Sequence, residues 1–339
     1  MKKLLLILIF IFALASCKNN NSNEEKEELC NHQYEYILTD DYSKIECLCT
    51  NCDYKYEIDL NFSFSYNYGY LDLNRFISSK SLKKLYLNMY VDVINFINEK
   101  KDLEIKNEHF QISKIDFNKY NLTKEEAMAV WHIFILDNPE FYFLEKTVLA
   151  SNDEIILLCN KLYASHEQRE IVDAKIKELN NAVIKTDNQL LNLEKVYSYV
   201  IENMTYAYEE IDGKKVAKKD FDSYELSGAL LNKEGVCEAY CKLFSYLLKI
   251  NGIKSIMYVG EGLLLSGSHV RHSWTITQIN DSWYGFDLTW DDSNSNKDNY
   301  GLSYDNLAKR HIVNELNSQT LQKGVDFIYQ MPKMATENL

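Results

Sequence analysis

Proline is nearly missing from this chain: there are two in 339 residues. No unit recurs at a fixed period, which excludes the stacked architecture of a repeat protein. Positive charge is also short, with 37 Lys and Arg against 50 Asp and Glu for a formal charge of -13. No basic stripe interrupts that balance, so general nucleic-acid binding is excluded. The apolar run near the start, residues 4–16, is only thirteen residues long, whereas a membrane-spanning helix needs about twenty. The acidic loop "DDSNSNKDN" lacks EF-hand spacing, so calcium is not expected there. What is present is hydrophobic residues at 46% and aromatic residues at 13%, with 25 Tyr and 4 Trp. That is the composition of a globular chain with packed sheets and grooves, long enough for two or three cores.

The first twenty residues, "MKKLLLILIFIFALASCKNN", decide the expected compartment. Lys2 and Lys3 precede the short apolar run, the pattern of a cleaved signal rather than a span. The run closes on Leu14-Ala15-Ser16-Cys17, which resembles the bacterial lipoprotein box. That resemblance implies a signal peptide over 1–16 and lipid on Cys17, with the mature chain anchored outside the cytoplasm through that lipid. Residues 17–28, polar and charged without apolar period, read as a flexible tether.

Residues 29–58 hold Cys30, His32, Cys47, Cys49 and Cys52. Cys30-x-His32 and Cys49-x2-Cys52 present paired ligands on two loops, the spacing that suits tetrahedral zinc. The segment is similar to the small zinc ribbons at the start of some bacterial surface proteins, with Asp53 where such a knuckle often has Gly. Outside the cytoplasm the same four cysteines could instead form two disulfides, and Cys47 is an additional candidate ligand. The cofactor expectation is structural zinc, with none for catalysis.

Residues 59–180 read as a helix-rich middle region. Leu82, Leu85, Tyr86, Met89, Tyr90, Val93, Ile94 and Ile97 mark one helical face, and "FQISKIDF" alternates as a strand does. A second helix stops near Asn138, since Pro139 disfavours helical geometry in the residue before it. His132 on that helix reads as a packed or surface histidine, and Cys159 in an apolar run as a structural thiol. Residues 181–339 form the last unit. Its first helix has Thr186 or Asp187 as N-cap and Leu190, Leu193, Tyr197, Val200, Ile201 and Met204 on one face. In "GVCEAYCKLFSYLLKINGI", residues 235–253, the positions Cys237, Tyr240, Cys241, Phe244, Leu247 and Leu248 line a helical face. Cys237 sits in the first turn, where the helix dipole favours an anion, and Cys241 lies one turn inside. Three β-like segments follow, "SIMYVGEG", "HSWTITQI" and "WYGFDLTW", so the fold class is α+β.

A thiol nucleophile needs a base, and the base needs an acceptor to set its tautomer. His272 in "HVRHSW" and Asp287 in "GFDLTWDD" offer both on consecutive strands. "GVCEAY", "HSW" and "FDLTWDD", in this order and spacing, resemble the three core motifs of bacterial transglutaminase-like proteins. The likeness is close from Asp187 to His311 and looser back to Ser78. It implies a papain-like fold, a helix packed on an antiparallel sheet, with Cys237 as nucleophile, His272 as base and Asp287 as orienting acid. Two departures stand out: Ala239 where the family often has Gly, and Ser227 where it often has an aromatic. Tyr224 or the backbone N–H of Cys237 would then serve a developing oxyanion.

His269 should point away from His272, and His311 packs near the site without a local feature that would make it a base. Trp274, Trp283 and Trp290 read as core or groove wall, and Asp291 and Asp292 as a solvated turn. Taking Asn280-Asp281 as a two-residue hairpin turn pairs Ile279 with Ser282 and puts His272 and Asp287 on one face. The expected activity is thioester acyl transfer on peptide or glutamine amides, hydrolysis before cross-linking. The partners are a protein or peptide substrate of the cell wall or surface, and the membrane through the lipid. The alternative is a non-catalytic surface binding lipoprotein that keeps the fold.

Overall fold

The computed structural model describes residues 30–151, 153–182, 185–312 and 331–339. The expected signal peptide, Cys17 and the whole of the tether lie outside the described residues. Within them no helix is long and apolar enough to cross a membrane.

Three antiparallel strands open the described chain: β1 (Tyr34–Leu38), β2 (Lys44–Cys49) and β3 (Lys55–Asp59). Helix α1 (Ser79–Glu99) follows and packs against β1. It ends at Lys100, whose φ of 49° is left-handed. Beyond it come β4 (His109–Asp116), α2 (Lys124–Asp137), β5 (Glu154–Cys159) and α3 (His166–Ala182). The strands β4 and β5 are the centre of a second, four-stranded antiparallel sheet. Thr123 and Glu126 form a reciprocal capping box at the start of α2, which satisfies two otherwise orphaned backbone donors. Its stop falls at Asn138, before Pro139, as the backbone restriction requires.

The C-terminal part holds α4 (Gln189–Asn203), α5 (Cys237–Ile250), β6 (Ser255–Leu263), β7 (His269–Ile279), β8 (Ser282–Phe286), α6 (Leu288–Asn294) and β9 (His311–Ile312). Its sheet runs β8-β7-β6-β9, all antiparallel, and α5 packs on β7 and β6. This is the expected α+β arrangement of a helix on an antiparallel sheet. The hairpin register is the expected one: Ile279 pairs with Ser282 and Thr275 with Phe286. Asn280 and Asp281 have φ of 47° and 64°, the two left-handed residues of a type I′ turn.

Three local expectations give way. The N-cap of α4 is Asn188, not Thr186 or Asp187, because the Thr186 hydroxyl donates to Asn192 instead. "DLTW" leaves the sheet after Phe286 and starts α6, with Asp287 as its N-cap. And α5 is buried on all sides rather than one, since Lys242, Ser245 and Lys249 are buried as well as Phe244 and Leu248. One apolar core runs through the described residues, from Ile45 and Cys47 in β2 through Trp131 and Phe244 to Met334.

Candidate active site

The first turn of α5 presents Cys237, half-buried, with Val236 as an N-cap whose side chain makes no capping bond. The helix dipole therefore bears on the thiol. Across from it β7 delivers His272, 4% exposed and near enough to Cys237 for the thiol to bear on its titration. Asp287 follows the end of β8 and is 1% exposed. His272 Nε2 lies 2.6 Å from Asp287 Oδ2, so the other ring nitrogen, Nδ1, is left for the thiol. Burial alone would lower the His272 pKa. The charge and hydrogen bond of Asp287, reinforced by Cys237, overcome it and raise the group to about 10. For Asp287 burial works upward, and the two imidazoles beside it hold the carboxyl well below the usual range.

Asp287 has a second duty. Its Oδ1 accepts the backbone N–H of Trp290 at 3.1 Å, capping α6. The Trp290 ring stacks on His272 with centroids 4.5 Å apart and an interplanar angle of 11°. One carboxylate thus holds the imidazole by its edge and, through the helix it caps, by its face. The space for this comes from two glycines in β6. A Cβ on Gly260 would meet Trp274 Cη2 at 2.6 Å, and one on Gly262 would meet Trp290 Cζ2 at 2.7 Å. The pair Gly260-x-Gly262 is the sequence signal for this close approach.

His311, expected only to pack nearby, contacts Asp287 directly: Nε2 lies 2.9 Å from the same Oδ2, and Nδ1 3.1 Å from the Leu307 carbonyl. His269 is on the exposed end of β7 and pairs with Glu261 at 2.9 Å, away from the site as expected. Asp291 is not solvated. It is 1% exposed and accepts from the Tyr197 hydroxyl, at 2.7 Å, and from Asn299. Its acidic neighbour Asp292 accepts the Tyr240 hydroxyl at 2.6 Å. Trp274 is core, at 0% exposure, whereas Trp290 is the stacking wall described above. The Cys241 thiol is buried, and that burial raises its pKa well above the ordinary value.

Around Cys237 the other polar groups come from several segments. Ser227 is turned away, its hydroxyl donating to Asp222 at 2.7 Å. Tyr206 and Tyr224 lie near the thiol; burial first, then negative charge that includes Cys237, pushes both phenols above their ordinary pKa. From the middle region Lys146 reaches over the Tyr224 ring, 4.2 Å from its centroid, and pairs with Glu238. Nothing local in the sequence marks Lys146, since its role depends on how the middle region folds over α5.

The second cluster is at the end of the N-terminal sheet. Cys30 Sγ lies 3.8 Å from Cys49 Sγ, and His32 Nδ1 lies 3.3 Å from Cys49 Sγ and 3.5 Å from Cys52 Sγ. All four ligand atoms fall within 4.8 Å of one another. A tetrahedron with metal–sulfur bonds of about 2.3 Å places its sulfurs about 3.8 Å apart. Two disulfides among four cysteines would also need Cys47, which is fully buried in the core with its thiol 3.9 Å from the Ile45 carbonyl. Against desolvation, hydrogen bonds from His32 and the Asn51 N–H bring Cys49 down to about 6. Cys30, hydrogen-bonded to Cys52, desolvated and beside Cys49, is pushed up to about 12.

A family model described as a transglutaminase-like domain matches residues 174–312. No curated protein matches the chain. Among solved structures, one described as a "Putative Cysteine Protease" from Cytophaga hutchinsonii aligns at 18% identity with a TM-score of 0.26. That alignment covers 35% of this chain and 37% of that one. Another, described as a TGase, aligns at 13% identity and TM-score 0.31, covering 45% of this chain and 48% of that one. This chain therefore spans less than half the length of the solved structures it matches. The C-terminal α+β unit, with its helix Cys237–Ile250 on the antiparallel sheet, is the part of the chain that this transglutaminase-like model matches.

Proposed function

We propose that this protein is a lipid-anchored extracytoplasmic cysteine enzyme that cleaves or transfers peptide or glutamine amides through a thioester. The observation that carries the reading is the buried His272–Asp287 contact of 2.6 Å beside Cys237 at a helix N-terminus. The Cys237 thiolate attacks the amide carbonyl carbon, forming a C–S bond and a tetrahedral oxyanion. The Cys237 backbone N–H and the Tyr224 hydroxyl are the donors for that oxygen. As the C–N bond breaks, His272 gives its Nδ1 proton to the leaving amine. Water then attacks the thioester while His272 takes its proton; the C–S bond breaks, releasing the acid and restoring the thiolate–imidazolium pair. An amine in place of water gives a cross-link by the same steps. Hydrolysis is preferred, because water is the abundant nucleophile outside the cell.

Cys30, His32, Cys49 and Cys52 hold a structural zinc in this reading, supported by the near-tetrahedral spacing of their ligand atoms. Such a metal would stiffen the N-terminal module and takes no part in the reaction. Lipid on Cys17 provides the membrane attachment, and the substrates are proteins or peptides of the envelope.

The test is brief iodoacetamide treatment below pH 7 followed by peptide mapping. Cys237 should label ahead of Cys159 and Cys241, and much faster than the same thiol in a folded His272→Ala variant. Equal rates for Cys237 in the two proteins would remove the activated-thiolate mechanism.

A further inference from the structure

His311 makes hydrogen bonds at two places that together restrict its protons. Its Nδ1 faces the Leu307 carbonyl at 3.1 Å, and a carbonyl only accepts, so Nδ1 carries a hydrogen. Its Nε2 faces Asp287 Oδ2 at 2.9 Å, and an ionised carboxylate only accepts, so Nε2 carries one too. The imidazole is enclosed, its side chain 1% exposed, between Trp274 and Trp290 at centroid distances of 4.8 Å. Water is therefore not available to replace either bond. Oδ2 receives both imidazoles, His272 at 2.6 Å and His311 at 2.9 Å, while Oδ1 is occupied by the α6 cap.

We propose that His311 is a positioning residue: as an imidazolium on Asp287, it fixes that carboxylate and offsets its charge. This role rests on the catalytic reading of Cys237, His272 and Asp287. A lone buried carboxylate would hold the His272 imidazolium so firmly that it becomes a poor acid toward a leaving amine. A second cation, its ring centroid 5.9 Å from that of His272, weakens that hold without giving up the orienting hydrogen bond. The matching of a catalytic acid to working pH is what such tuning achieves. Among the described residues the other charged groups near His311 are few. Arg310 lies over Trp290, 4.0 Å from its centroid. Glu261 in β6 stands opposite Ile312 but is paired with His269. Asp291, one turn into α6 beyond Asp287, is satisfied by Tyr197 and Asn299.

The experiment is the pH dependence of Cys237 alkylation in the full chain, compared with His311→Gln and His311→Lys. Gln can still donate to Asp287 but brings no charge, whereas Lys restores a cation. Loss of the cation raises the pH at which the thiol ionises and the pH at which His272 deprotonates. Both limbs of the His311→Gln profile should therefore move to higher pH, on the order of one to two units for a charge at this distance. His311→Lys should move them back. A purely structural role would lower the rates and leave the limbs where they are. In the wild-type protein, nitrogen-15 NMR of the imidazoles should show His311 protonated on both nitrogens, a readout that needs no variant to fold. A reactive Cys237 with unchanged limbs in His311→Gln, or a neutral His311 with bare Nε2, overturns the role alone. A wild-type Cys237 no faster than in His272→Ala overturns the catalytic reading, and the role of His311 with it.

Discussion

Asp287 serves three partners with two oxygens, and its substitution tests that arrangement most directly. An Asn there can keep the α6 cap through its oxygen, but its amide donates where the carboxylate accepted. His272 Nε2 would then become the acceptor and Nδ1 would carry the proton toward Cys237, the wrong tautomer for a base. By analogy with the serine-protease triad, turnover should fall by up to about four orders of magnitude with the circular dichroism spectrum unchanged; near-wild-type turnover in a folded Asp287→Asn would take Asp287 out of the mechanism. Stability should change with pH as well. His272, raised to about 10, contributes stability that is full below its ordinary value of about 6.5 and is lost as pH climbs toward 10. Asp287, held low, contributes stability present above about 4 and lost in acid. Urea midpoints at pH 6 and pH 9 should therefore differ more in the wild type than in Asp287→Asn. Cys237, His272 and Asp287 were legible in the sequence because each sits in a local motif and the three motifs come in order. His311 was not, because its contact with Asp287 spans 24 positions and depends on β9 adding to the edge of β6.

Elements show the same division between local and tertiary signals. The β7–β8 hairpin could be counted out residue by residue, because a two-residue turn leaves no freedom in register. The turn is nevertheless imperfect. Asp281 is exposed at φ 64°, where glycine is the favoured residue. Asp281→Gly should raise stability by roughly 0.5 kcal/mol, the net of relieved strain and added chain entropy, and leave Cys237 reactivity alone. A thermal melt with an alkylation assay checks both. "DLTW" was read as strand because its apolar residues continue the alternation. The Asp287 cap and the room above Gly262 turn it into α6 instead. At the other end of the chain, Cys47 and Cys49 are neighbours on β2 with opposite fates: Cys47 joins the core, and Cys49 the ligand cluster. Because β2 is anchored by Ile45 and Cys47, zinc removal should loosen the Cys49–Cys52 end without unfolding the sheet. Elemental analysis should give one zinc per chain. Chelation should speed hydrogen exchange there and leave Cys237 alkylation unchanged, whereas disulfide-linked Cys30, Cys49 or Cys52 in non-reducing mass spectrometry would replace the metal reading.

At the scale of the whole molecule, the middle region is what encloses α5. Composition could not show this, since Lys242 and Lys249 lie on what reads as the solvent face of an amphipathic helix. They are buried at 7% exposure each; Lys249 finds its counter-charge in the chain before residue 180, at Glu140, whereas Lys242 pairs with Glu225 ahead of α5. Lys249 Nζ lies 2.9 Å from Glu140 Oε1 and donates to the Asp137 carbonyl at 3.2 Å. Glu140 follows Pro139 at the end of α2, so this pair ties the middle region to the helix that carries Cys237. A buried pair adds little net stability when intact, yet removing one partner strands the other charge at a cost of roughly 3–5 kcal/mol. Glu140→Gln should therefore shift the urea midpoint down strongly, more than a change in a half-exposed pair such as Glu154→Gln beside Lys114. Replacing both partners, Glu140→Gln with Lys249→Met, removes the stranded charge and should recover most of the loss. That recovery separates an electrostatic tie from simple packing: if the contact mattered only for shape, the second substitution would add its own cost rather than cancel the first.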